Sequence, residues 1–343
     1  MGRLEQTQRL SPENRRLLVT LIVLLVIVFA FVASNVAANH EPEPHGLPVG
    51  IVGSPHTTRA IVQQLERHAP GGFDARTYAT RGQARTAILH RKVYGAFVSG
   101  PEPTLLVAGA AGVAAEQALT TALQGAIPRA FVVRDLVPLP RSDSTGETTF
   151  SVILSLTIVG VLGSSVIYLV AGKRPLAVRL AALLILAAGA GLATALATNV
   201  AVGAFSGHFL GVWAVATLFV LALAFPIDAF QTLLGIGGTA VGFVVFLVVG
   251  NPSAGSGTAP ALLPGFWRAV SQMLPPGAGT TAMRNVVYFH GHGTTRALLV
   301  LAGYVVLGAT AAIAAGRLRT RTTNETRRGP QASHPRAIPR AAS

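Results

Sequence analysis

The 343-residue chain contains no cysteine, so disulfides and thiolate chemistry have no residue to work with. Charge is scarce too, at 12% of residues, about half the usual share of soluble domains. Lysine is nearly missing: only Lys92 and Lys173 occur, and arginine supplies the rest of the basic residues. No G-x-x-x-x-G-K-[ST] segment is present, which removes the phosphate loop of an ATPase from this chain. What is plentiful is apolar surface, with 51% hydrophobic residues and a mean hydropathy of +0.54. That balance describes a polytopic membrane protein.

Apolar runs long enough to cross a hydrocarbon core of roughly 30 Å as helices lie at 17–37, 150–171, 180–202, 209–225, 232–249 and 297–315. Six spans put both termini on one side. The fourth and fifth runs are predicted to turn back on each other around 225–231. Arginines before the first span, among them Arg15 and Arg16, the group Lys173, Arg174 and Arg179 between spans two and three, and the basic tail after Arg317 share that side. The positive-inside rule makes it cytoplasmic, with 1–16 as its N-terminal segment. The first run exceeds the usual signal-peptide core of about 7–15 residues, so it reads as an uncleaved anchor. The net charge of +14 forms no basic stripe interleaved with aromatics, so orientation and anionic lipid account for it better than nucleic acid.

Residues 38–148 have the patterning of a water-soluble insert on the external side. Strand-like and helix-like segments alternate as βαβαββα, which predicts an α/β fold with a partly parallel sheet. Thr57 and Thr58 are expected to open its first helix. The turn Gly50–Gly53 lacks dinucleotide spacing, Ser54 lacks a nucleophile-elbow context, and His56, His68 and His90 lack metal-ligand spacing. No catalytic, cofactor or metal site is expected here, and the chain does not read as an enzyme.

Within the spans, Asp228 is the only carboxylate between 150 and 315. A proton- or ion-coupled carrier would need more. Asp228 can pair with Arg179 or a partner subunit, but the PIDAF context favours a solvated turn. Gly235, Gly238 and Gly242 in the fifth span, and Gly189 and Gly191 in the third, suit close helix packing. The pair His290 and His292 falls short of a coordination sphere, and the tail 317–343 has a disordered composition.

The stretch 250–267, GNPSAGSGTAPALLPGFW, has no lysine and sits among apolar runs. It leads to short amphipathic pieces, with Phe266, Trp267, Val270 and Leu274 at helical spacing, a break at Pro275 and Pro276, and a second piece at 283–288. Such pieces settle at the membrane interface or dip back in. Asn251, Pro252, Gly255, Pro264, Gly265, Phe266 and Trp267, then MLPPGAGTTAMRN with Pro275, Pro276 and Arg284, resemble the phage-infection-protein-like branch of the type-2 ABC exporter permeases. The layout of one anchor, an external domain and five close spans (149–316) resembles that superfamily as a whole.

The resemblance implies that 251–290 is an external re-entrant segment, that the chain works as a homodimer, and that ATP is hydrolysed by a separate ATPase subunit. It also implies coupling to that subunit through the interfacial segment 12–16 and the turn 172–179, hence through Arg15, Arg16, Lys173, Arg174 and Arg179. A conduit without charges suits a lipid-like or amphipathic substrate. The other reading is a non-transporting scaffold or receptor whose external domain binds an envelope partner.

Overall fold

The computed structural model describes residues 11–40, 42–255 and 258–327. The basic residues before Ser11 and after Arg327 lie outside the described residues. Five helices are long and apolar enough to cross a membrane, the helix set of a polytopic membrane protein. They are α1 (Pro12–Asn39), α5 (Thr148–Ala171), α6 (Leu176–Leu196, continued by a π-helical turn Ala197–Ala201), α7 (Phe209–Leu234) and α11 (Thr295–Arg327). Between α1 and α5 lie β1 (Leu47–Val52), α2 (Pro55–His68), β2 (Phe73–Tyr78), α3 (Arg81–Leu89), β3 (Gly95–Val98), β4 (Thr104–Val107), α4 (Val113–Ala126) and β5 (Val132–Asp135). Between α7 and α11 come α8 (Gly237–Gly242, continued by a π-helical stretch Phe243–Gly250), two 3-10 turns, α9 (Gly265–Ser271) and α10 (Pro275–Tyr288).

The α/β unit holds one five-stranded sheet in the order β2-β1-β3-β4-β5, parallel except for the β3–β4 hairpin. β1 is almost wholly buried because its LPVGIV run meets apolar side chains on both faces, as a parallel strand must. β5, with all four residues exposed, is the strand the sequence did not announce: an edge strand has one neighbour and no buried face to impose a pattern. The first helix is capped by Ser54, whose Oγ accepts from the Thr57 amide, and opens on Pro55. The cap therefore precedes the threonines expected to serve, since proline is preorganised for the first helical position.

α7 is the central helix, packed on α5, α6, α10 and α11. Phe219, Leu223, Val212 and Val215 of α7 meet Ile153 of α5, Ala187 of α6, Ala278 and Met283 of α10 and Leu301 of α11 in one apolar core. The expected turn at 225–231 is not there. α7 continues through Pro226 to Leu234, and the chain reverses at Gly235, whose φ of 61° favours glycine. Pro226 is accommodated because α11 offers Gly308 opposite it: a Cβ there would come within 2.5 Å of the proline Cδ. The predicted fifth span is consequently shortened to Gly237–Gly250. Gly235 thus makes the turn, whereas Gly238 and Gly242 lie against the end of α7, Gly242 beside Ile227.

Ser11 caps a single helix whose first turn, residues 12–16, carries Arg15 and Arg16 straight into the apolar run. At the other end, α11 runs on to Arg327, so 317–327 is helical and the expected structureless tail does not begin at Arg317.

Candidate functional site

Outside the long helices, α10 gathers three buried polar residues, Thr280, Asn285 and Arg284. Pro275 and Pro276 are its first turn, not a break before it; proline lacks only the amide that a helix start leaves unpaired. Gly277 packs on the Ser271 carbonyl, and Gly279 faces the Phe219 ring and Ile153. The small residues on this side let a short, weakly apolar helix sit among α5, α7 and α11. The Thr281 hydroxyl donates to Gln272 Oε1 at 2.9 Å, tying α10 to the residue that ends α9.

The far end of α10 meets the α/β unit. Arg284 is 6% exposed and donates to the Ala111 carbonyl at 3.3 Å. Arg91, after α3, donates to Asn285 Oδ1 at 3.0 Å and lies 4.6 Å from the Phe289 ring centre. Tyr288 donates to Asp143 Oδ2 at 3.0 Å, and Asp143 Oδ1 accepts from the Thr148 amide that opens α5. Arg91 has a φ of 62°, a position where glycine usually closes a helix; the contacts its side chain makes on α10 are what a glycine would forgo.

Electrostatics follow burial. Arg284 is lowered to about 10 by burial first and by Arg91 second, against Tyr94, Tyr288 and Asp143. Burial lowers Arg91 as well. Tyr288 is pushed up by burial and by Asp143, so its hydroxyl stays a donor. The cluster holds α10, α3 and the start of α5 together through one carboxylate and two guanidinium groups.

Around it, the Leu262 side chain from 250–267 joins the core of the α/β unit with Ala259, and His45 takes the Ala261 carbonyl. Asn251 and Pro252 are buried, Gly255 turns the chain in the left-handed region, and Pro264 precedes α9. Phe266 stays 61% exposed with its ring against Trp267. The His292 ring stacks on His90 at 4.0 Å, so the two histidines join the α10–α11 turn to α3. Among the described residues no group of three His, Cys, Asp or Glu side chains could hold a metal ion.

The charged turn between α5 and α6 divides. Lys173 and Arg174 are exposed, but Arg179 is 4% exposed and Asp228 1%. Arg179 Nε and Nη2 donate to Asp228 Oδ1 and Oδ2 at 3.0 and 2.8 Å, and Nη2 also donates to Thr232 Oγ1 at 2.7 Å. Arg179 therefore faces inward and is removed from the docking set, and Asp228 is not a solvated turn residue. Uninterrupted α7 places Asp228 opposite the first turn of α6. A second polar group lies beside the pair: Gln231 Nε2 donates to Ser165 at 3.1 Å and to Thr239 at 3.0 Å.

No family model, curated relative or solved structure matches the chain.

Proposed function

We propose that the chain is the membrane-spanning subunit of a type-2 ABC exporter, a homodimer that moves a lipid-like or amphipathic substrate out across the cell membrane with a separate ATPase subunit. The observation that carries the reading is α10: a short buried helix among α5, α7 and α11, fixed by Arg284, Asn285 and Tyr288 to the α/β unit. That placement suits an outer gate or seal, which an anchor has no use for. In this reading Gly237–Gly250, extended by the buried turn Pro252–Ala254, is a sixth crossing. Both termini are then cytoplasmic, and the α/β unit, inserted between the first two crossings, is external.

The wall chemistry supports an amphipathic substrate. Asp228, the one carboxylate between 150 and 315, is engaged by Arg179, and the flanks of α1, α5 and α6 expose leucine, isoleucine and valine to lipid. The α5–α6 turn, 172–175, favours the second reading, a scaffold or receptor without an ATPase: it is four residues long and offers Lys173 and Arg174 alone. Purification from native membranes in a mild detergent separates the two. The permease reading predicts a stoichiometric nucleotide-binding subunit, lost in a K173E/R174E variant; envelope proteins held by 46–139, with no ATPase, would establish the scaffold.

A further inference from the structure

A cleft of about 470 Å³ opens between the N-terminal end of α5 and the C-terminal end of α6. It has three properties that ordinary helix packing leaves unexplained. First, its lining is hydroxyl-rich and acidic: Ser151, Ser155, Thr194 and Thr198 face it with Glu147 and Asp143, and no lysine or arginine does. In a chain with 27 basic and 13 acidic residues, that local charge is opposite to the whole.

Second, the two serines are free. Elsewhere in these helices Thr157, Ser164, Ser165, Thr194 and Thr198 each donate to the carbonyl four residues back, the usual way to satisfy a hydroxyl in an apolar helix. Ser151 and Ser155 are exposed, and their hydroxyls make no protein hydrogen bond among the described residues. Third, α6 widens into its π-helical turn, Ala197–Ala201, where Ala197 and Thr198 line the cleft; such turns gather at functional sites.

The polarity then changes along one stripe. Ser151, Ser155, Ile158 and Leu162 follow each other at helical spacing on α5. Ile158 and Leu162 are 41% and 54% exposed, so a hydroxyl-lined cleft gives way to bare apolar surface. Thr194 and Thr198 have spent their protons on backbone carbonyls, which leaves their oxygens as acceptors.

We propose that this cleft binds the ammonium headgroup of a cationic amphiphile, whose hydrocarbon chain lies along the Ile158–Leu162 stripe. Glu147 at the rim supplies the counter-charge, and the serine and threonine oxygens supply the polar lining. The assignment rests on the permease reading for its role as substrate recognition; the binding itself does not depend on transport.

The cysteine-free chain gives a direct test. The full-length S155C variant, purified in an uncharged maltoside detergent, is labelled with a maleimide in the presence of dodecyltrimethylammonium, laurate or choline. Dodecyltrimethylammonium is expected to slow labelling, whereas laurate and choline leave it unchanged. Adding E147Q should weaken that protection about two- to fivefold, the range for one solvent-accessible charge contact. Equal protection by laurate would mean chain partitioning without headgroup recognition, and equal protection by choline a site for small amines; either overturns the proposal, as does E147Q without effect. Crosslinking of two S155C chains by a bismaleimide, with no protection by any probe, would make the cleft a face between copies and overturn it too. S151C provides the same reading if S155C is not monodisperse. Protection without transport would retire the permease and keep the site; ATP-driven transport without protection would do the reverse.

Discussion

Asp228 and Arg179 hold each other where each alone would be costly. A buried carboxylate or guanidinium carries a desolvation penalty of several kcal/mol, recovered only through close, well-directed pairing. The two-pronged geometry and the added Thr232 contact meet that condition. We expect D228A to cost about 3–5 kcal/mol, read as thermal unfolding in detergent, because Arg179 is left uncompensated. The R179L/D228L double variant should recover most of the loss, since both charges leave together. If D228A melted like the parent protein, the pair would be wetter than its exposure implies. The sequence offered Arg179 as a partner for Asp228 but favoured a turn, because proline in an apolar run ordinarily marks an end. The deciding residue, Gly308, is 82 positions away from Pro226, and no local pattern connects them.

At the scale of the element, α10 shows why its extent was hard to read. Its composition is too polar for a span and too glycine-rich for an amphipathic surface helix, and its periodicity was visible only over 283–288. Helix formation here is decided by tertiary packing, not propensity. Gly279 is the tightest point against the core, where a Cβ would meet the Phe219 ring and approach Ile153 Cδ1 to 3.3 Å. A G279L substitution should cost about 1–3 kcal/mol or more by overpacking, seen as a lower melting temperature, whereas leucine at the open Gly189 should change little. The α/β unit was legible in seven of its elements, because buried strands and amphipathic helices carry their pattern locally; β5 was missed for want of a buried face.

Within that unit, burial and the neighbouring Asp135 raise the Glu116 carboxyl above its ordinary value. Folding therefore takes up a proton between the unfolded and folded values, and stability falls as pH rises through that window. E116Q should flatten this slope and leave the unit more stable at neutral pH; a melting curve series across the window that stayed as steep in E116Q would contradict the assignment.

For the molecule as a whole, the junction between the α/β unit and the bundle matters most. It is built from Arg91, Asn285, Arg284, Tyr288 and Asp143, of which only Arg284 was singled out in the sequence, and then for its motif. Removing the Arg91 side chain should cost about 1–3 kcal/mol through the unpaired Asn285. In the R91A variant, hydrogen exchange should rise in α10 as well as in α3; a rise confined to α3 would mean that the two parts are not mechanically joined. The membrane class was legible from composition alone, since long apolar runs are a one-dimensional signal. The docking of a soluble-type unit on a buried helix was not, because it depends on contacts across nearly 200 residues of chain, such as Arg91 with Asn285.

Active export of an amphipathic substrate can be measured directly. Inside-out vesicles from the native membrane, with and without the chain, can be given ATP together with a fluorescent amphipathic dye or a small hydrophilic solute. ATP-dependent accumulation of the dye is expected only when the chain is present. Accumulation of the hydrophilic solute in place of the dye, or no accumulation of either beyond the vesicles that lack the chain, would contradict it.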